Sequence, residues 1–260
     1  MIVVMERGGA LAGKTVLVTG GNGGIGLGMA SGCAAAGADV IVWGRNPDKN
    51  AAAVDTLRGL GAQAHGFVCD VADEAAVDDA FARSVDAAGG RIDAVFANAG
   101  VTGNGTPFLD LDLAEWHRVL ATNLDGVFLT LRAAARHLVD TGGQGALVAV
   151  SSTSAIQGAA GNEAYGTSKT ALLGLVRALA VALGRHNIRV NALLPGWTRT
   201  DMAGPAYEWE KFRDATIRRT PLRRWADPAE MAAVAVFLAD PANSFHTGDT
   251  ITVDGGYTVF

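Results

Sequence analysis

A glycine-rich turn between an apolar strand and a helical run limits the possible folds more than any other stretch. Thr15-Val-Leu-Val-Thr19 is a short apolar run that reads as a buried strand. Gly20-Gly-Asn-Gly-Gly24-Ile25-Gly26 follows and opens a helical run over 25–36. Gly37-Ala-Asp39 closes that helix, and 40–43 is a second apolar strand ending at Trp43. This is a βαβ unit of about 30 residues. Glycines in such a turn let the backbone bend tightly, approach a pyrophosphate and seat the helix against the sheet. The helix N-terminus then offers unpaired N–H groups and partial positive charge to phosphates. Gly20, Asn22, Gly24, Ile25 and Gly26 are therefore candidate dinucleotide-binding positions. Three residues, not one, separate Gly20 from Gly24, so the turn departs from the commonest dinucleotide fingerprint.

The alternation continues along the chain, with helical runs at 48–60, 73–88, 113–138 and 162–184. Strands read at 64–69, 92–97, 145–150 and 189–194. Residues 195–226 are irregular with a short helix near 206–217, Pro228 starts a helix leading into 230–238, and 249–253 is a last strand. Apolar strands alternating with helices predict an α/β fold, a Rossmann-like doubly wound parallel sheet of about seven strands. A TIM barrel, the main rival, would want eight repeats and no dinucleotide turn after its first strand. No linker or charge run divides the chain, so 13–260 reads as one dinucleotide-binding and catalytic domain with its substrate loop at about 195–226. Residues 1–12 read as a flexible leader.

Composition narrows the function classes. The 260 residues are 49% hydrophobic with a net charge of -5, and no basic stripe suits a nucleic acid. The N-terminal apolar run is too short for a signal or a membrane span. Cys33 and Cys69 lie far apart on elements that read as buried, which fits a reducing cytoplasm rather than a disulfide framework. The five histidines form no metal spacing with the cysteines.

The strand ends carry the remaining candidates. An acidic residue near the end of the second strand would take the ribose hydroxyls of NAD, but Gly44 stands there. Arg45 follows, and a guanidinium suits a 2′-phosphate, so NADP is favoured with NAD possible. Asp70, before Val71, could accept a bond from an adenine amino group or simply cap the next turn. Asn98-Ala99-Gly100 ends the fourth strand, where small residues admit a ribose or a neighbouring strand. Asn123 and Gly126 interrupt a long helical run, which marks a kink or a held water.

Ser151 and Ser152 end a strand where ligands of open α/β sheets sit, and neither has the frame of a hydrolase elbow. Tyr165 and Lys169 lie four residues apart on one helical face. A lysine there is expected to lower the phenol pKa and let it exchange a proton with a carbonyl or alcohol. Tyr207 and Lys211 repeat the spacing, but Leu194 stands where a polar partner would be needed, so the first pair is taken. A cofactor-binding regulatory protein without turnover would need no such tuned phenol.

With these residues in place, the chain from about residue 11 to 258 resembles the short-chain dehydrogenase/reductase family. The motifs come in that family's order: the glycine turn, Asp70-Val71, Asn98-Ala99-Gly100, Asn123, Ser152, Tyr165, Lys169, Pro195-Gly196 with Thr200, and Val253-Asp254-Gly255-Gly256. Ala97 replaces an asparagine common in the family. The resemblance implies that Tyr165 is the general acid or base and that Ser152 orients the substrate oxygen. It implies that Lys169 tunes Tyr165 and binds ribose hydroxyls, and that Asn123 positions a water. Pro195, Trp197 and Thr200 would hold the nicotinamide end, and a homotetramer would form through the helices around Asn123 and Tyr165. The C-terminal half is similar to gluconate-type sugar-acid dehydrogenases. The substrate, a small carbonyl or alcohol, stays open. Trp197, Tyr207, Trp209, Phe212 and Trp225 argue for an apolar pocket, while Arg199, Lys211 and Arg213 argue for an anion.

Overall fold

The computed structural model describes residues 9–158 and 160–260. The strands β1 (Thr15–Thr19), β2 (Asp39–Gly44), β3 (Ala64–Val68), β4 (Ala94–Ala97), β5 (Gly145–Val150), β6 (Ile188–Pro195) and β7 (Thr250–Val253) form one sheet in the order β3-β2-β1-β4-β5-β6-β7. Every pair is parallel. This is the seven-stranded doubly wound sheet expected from the alternation. The order reverses between β1 and β4, which opens a crevice at the strand C-termini.

Alternation within the strands divides the core. Val16, Val18, Val40, Val42, Val148 and Val150 face one layer, with Met29, Cys33, Leu57 and Leu238 from the helices α1 (Gly24–Ala35), α2 (Pro47–Gly59) and α9 (Ala232–Ala239). Leu17, Ile41, Trp43, Val95 and Leu147 face the other. That layer is covered by α3 (Glu74–Ala87), α5 (Gly126–Asp140) and α6 (Glu163–Leu183). Trp43 is fully buried, and its indole N–H donates to Ser84 Oγ at 2.9 Å, so the largest core side chain leaves no polar group unpaired.

Three local expectations change. The leader expected over 1–12 is shorter, because Leu11 is fully buried and its N–H bonds to Ala36 O at 3.0 Å, closing the end of α1. Residues 1–8 of that leader lie outside the described residues. The helical run 113–138 is not one α-helix. It is α4 (Leu113–Leu120), a π-turn over Ala121–Asp125 and then α5, with Asn123 inside the turn. Widened turns of this kind collect at functional sites. The single helix expected near 206–217 is two, α7 (Gly204–Glu208) and α8 (Glu210–Arg219), broken by extended backbone at Trp209. Tyr207 and Lys211 thus sit on different helices and lose their shared face.

One helix, Glu163–His186, is long and apolar enough by length and composition to cross a membrane. Here it lies along the sheet, with Leu172, Val176 and Ala180 in the core.

Candidate active site

β5, the π-turn and α6 bring four side chains to one place. Ser151 N–H bonds to Leu193 O at 2.7 Å and its hydroxyl donates to Lys169 O at 2.8 Å. Ser151 is buried and occupied, so Ser152 is the serine left facing the crevice. Ser152 Oγ accepts from Ser154 N at 3.1 Å, and its hydroxyl neighbours the Tyr165 phenol. Lys169 is buried, its Nζ lies 5.6 Å from the Tyr165 ring centre, and it donates to Val150 O at 2.8 Å. Asn123 accepts from Val101 N at 2.8 Å and donates to Val101 O at 2.9 Å and to Ser168 Oγ at 3.2 Å. Its amide is thus pinned to the loop after β4 and to α6, one turn from Tyr165. A Cβ on Gly100 would sit 3.3 Å from Asn123 Oδ1 and 3.5 Å from Lys169 Nζ, so the last residue of Asn98-Ala99-Gly100 adjoins the same group.

The electrostatics differ from the expectation. Burial pushes the Tyr165 phenol above its ordinary value, and the neighbouring Ser152 hydroxyl only partly opposes this. Burial pushes Lys169 down to about 8. Lys169 therefore loses its proton before Tyr165 does, and the lysine alone does not lower the phenol. Desolvation outweighs an ammonium that points at a carbonyl rather than at the hydroxyl. The phenol is held protonated at neutral pH, the state that donates to a ketone oxygen.

The dinucleotide turn has the form a phosphate cradle needs. Gly20 has φ +62° and Gly24 φ +49°, conformations that favour glycine. A Cβ on Gly26 would lie 2.2 Å from Gly20 O, so α1 starts hard against the turn. The first turn of α1 has no side-chain cap and no acidic residue, which leaves its N–H groups for an anion. Ile25 packs at the edge of the core. Asn98 Nδ2 donates to Thr19 O at 2.9 Å, while Thr19 Oγ1 accepts from Asn98 N and Ala99 N. The two strand ends flanking the crevice are thereby locked. The residues fit a dinucleotide.

At the adenosine end, Asn22 Nδ2 donates to Asn50 Oδ1 at 2.7 Å beneath Gly44. Asn50 in turn donates to Gly44 O and Phe67 O. A Cβ on Gly44 would lie 2.1 Å from Asn22 Nδ2, so the amide pair fills the place of an acidic side chain. Arg45 is exposed and has no hydrogen bond among the described residues. The Asp70 carboxylate accepts from Ala72 N at 3.1 Å, which is the turn-capping reading, and Val71 is a core residue against Gly126. Asn50 and Ser168 were not singled out from sequence. Asn50 had a signal, a polar side chain on the apolar face of a helix.

The segment after β6 straps across this crevice. Pro195 is the buried last residue of β6, and the Val150↔Leu193 register puts it level with Ser152. Thr200 lies against Gly24, where a Cβ would meet Thr200 Cγ2 at 3.1 Å, and Lys49 pairs with Asp201 at 3.0 Å. The base closes where Thr198 pairs with Ala226. Trp197 stacks on Trp225 with ring centres 4.8 Å apart. Glu230, bonded to both Arg224 guanidinium nitrogens and to Asp227 N, is held down at about 2, chiefly by Arg224. A depressed carboxylate stabilises above its ordinary value near 4.5 and loses that contribution as pH falls toward 2. Trp225 fluorescence should therefore change between pH 4.5 and 2, and Glu230→Gln should flatten that change; an identical transition in the variant would refute the assignment.

Residues 20–258 match the family described as Enoyl-(Acyl carrier protein) reductase. The chain is 35% identical over 250 residues to a gluconate 5-dehydrogenase of Gluconobacter oxydans, covering 96% of each. It is 37% identical to an L-rhamnose 1-dehydrogenase (NAD(P)(+)) of a Sphingomonas species, covering 96% of this chain and 98% of that one. A gluconate 5-dehydrogenase of Burkholderia cenocepacia, solved with NADP and tartrate, superposes with a TM-score of 0.90 at 34% identity, covering 96% of this chain and 97% of that one.

Proposed function

The chain belongs to the short-chain dehydrogenase/reductase family and is an NAD(P)-dependent oxidoreductase of secondary alcohols and ketones; from that premise we propose that it prefers NADP(H) and moves the reaction's proton through Tyr165. The Ser152–Tyr165–Lys169 arrangement under the strand ends carries this reading. Ser152 holds the substrate oxygen and Tyr165 gives it a proton in reduction or takes one in oxidation. Lys169 and the pinned Asn123 hold the floor of the site. The bound cofactor supplies or accepts the hydride and, when oxidised, adds a positive charge near the phenol. Because burial holds the phenol protonated, reduction is expected to run at neutral pH and alcohol oxidation to speed up as pH rises. Mixing the protein with NADPH and a ketone panel should oxidise one equivalent of NADPH per ketone reduced. Cofactor binding without net oxidation would instead favour a regulatory protein or an epimerase.

Gly44, the Asn22–Asn50 amide pair and the free Arg45 support NADP(H). Arg45→Ala should raise the KM for NADPH about tenfold, as expected for a lost charge-assisted phosphate contact, and leave NADH kinetics unchanged. Equal use of NADH by the wild type, or no effect of the substitution, refutes the preference. We propose further that the chain assembles as a homotetramer, in line with the exposed Phe128 on α5 and Val181 on α6. Sedimentation of the purified protein tests this. The names of the relatives favour a second reading, a sugar-acid dehydrogenase of the gluconate type using NAD or NADP.

A further inference from the structure

The strap beyond β6 carries both the aromatic side chains and the cations that sequence alone left in balance, and its contacts separate them. Arg199 is paired with Asp227. Arg213 is paired with Asp214 at 3.2 Å and lies over the Tyr207 ring. Arg224 is taken by Glu230. Lys211 is exposed on the far side of the Trp209 break. Arg199, Arg213 and Arg224 are thus each paired with a carboxylate, and a substrate carboxylate would have to displace an existing partner to be recognised by any of the three.

The aromatics, by contrast, form one continuous wall. Trp197 lies just beyond the level of Ser152, stacks on Trp225 at 4.8 Å and meets Phe212 edge-on at 5.1 Å. Tyr207 meets Trp225 edge-on at 5.1 Å. Trp225 is buried, and its indole N–H donates to Thr216 Oγ1 at 2.8 Å. The rings brace one another, and the Thr216 bond satisfies the most deeply buried polar atom. An apolar surface of braced aromatic rings suits an apolar ring body, whereas a polyol against it would lose water from its hydroxyls without replacement partners.

We propose that the substrate of this site is a neutral ketone or secondary alcohol carrying a flat aromatic or cyclic body, seated on the Trp197–Phe212–Tyr207 wall, rather than a sugar acid. The inference rests on the oxidoreductase reading above.

The test compares a bicyclic aryl ketone, 1-tetralone, with 5-keto-gluconate under NADPH. The expected kcat/KM for 1-tetralone is higher by about a hundredfold or more, the scale of discrimination a mismatched pocket gives. Phe212→Ala should raise the KM for 1-tetralone about tenfold with little change in kcat, the sign of lost uniform binding. Lys211→Ala should leave both unchanged. An equal or higher kcat/KM for 5-keto-gluconate overturns the proposal and leaves hydride transfer standing. A Tyr165→Phe variant that still reduces 1-tetralone at the wild-type rate removes the proton-transfer reading and leaves the preference standing. Tryptophan quenching of the NADP-loaded protein by 1-tetralol or gluconate decides independently of turnover. Tighter or equal gluconate binding, or no saturable binding of 1-tetralol, overturns the proposal.

Discussion

Tyr165→Phe is expected to lower kcat for ketone reduction about a thousandfold, within the range a positioned general acid contributes. The dissociation constant for NADPH should change less than about threefold, because the substitution removes only a hydroxyl and leaves Lys169 bonded to Val150 O. Stability should fall by no more than about 1 kcal/mol, the net worth of at most one hydrogen bond. Ser152→Ala should act in the same direction. Removing either member of a pair that works as a unit costs nearly as much as removing both, so the double variant should be little slower than the Tyr165 single. The comparison needs stopped-flow rates under single turnover, so that slow cofactor release does not hide the chemical step. A Tyr165→Phe rate within tenfold of wild type would move the proton source elsewhere. The pinned amide of Asn123 is no substitute, since its donors are already used by Val101 O and Ser168 Oγ.

The fold was legible because its signals are local. Thr15–Thr19 and Gly145–Val150 have the predicted bounds, since each is an unbroken apolar run stopped by polar or glycine residues. The interruption at Asn123 was legible as a disturbance, although only the structure shows that it is a π-turn whose asparagine is held by a carbonyl from another segment. Two kinds of fact were not legible. The state of Tyr165 depends on burial, and spacing along a helix records which side chains are neighbours but not how far each is removed from water. Arg199 looked free because its partner lies elsewhere in the sequence: Asp227 stands 28 residues away. Short-range pairs follow helical spacing, whereas long-range pairs come from the way the strap folds back on itself.

Gly26→Ala is expected to damage both the scaffold and the cofactor site. Its new Cβ would fall 2.2 Å from Gly20 O and 2.6 Å from Asn98 Nδ2, a backbone atom and a side chain already bonded to Thr19 O. Neither can move without unlocking β1 from β4 at the crevice. Overpacking of this kind costs about 1–3 kcal/mol, and here the compensating shift falls on the phosphate turn itself. The melting temperature should drop by about 3–10 °C for a chain of this size. The dissociation constant for NADPH should rise at least tenfold, because displacing α1 moves its open N–H groups away from a bound pyrophosphate. Gly23→Ala is the control. Gly23 is extended at φ −179°, and nothing lies within 4 Å of a Cβ placed there, so its melting temperature should match wild type. If Gly26→Ala melts and binds NADPH as the wild type does, the close seating of α1 on the turn is not what organises the crevice. A loss of NADPH binding in Gly26→Ala without a change in melting would separate the turn's role in phosphate recognition from its role in packing.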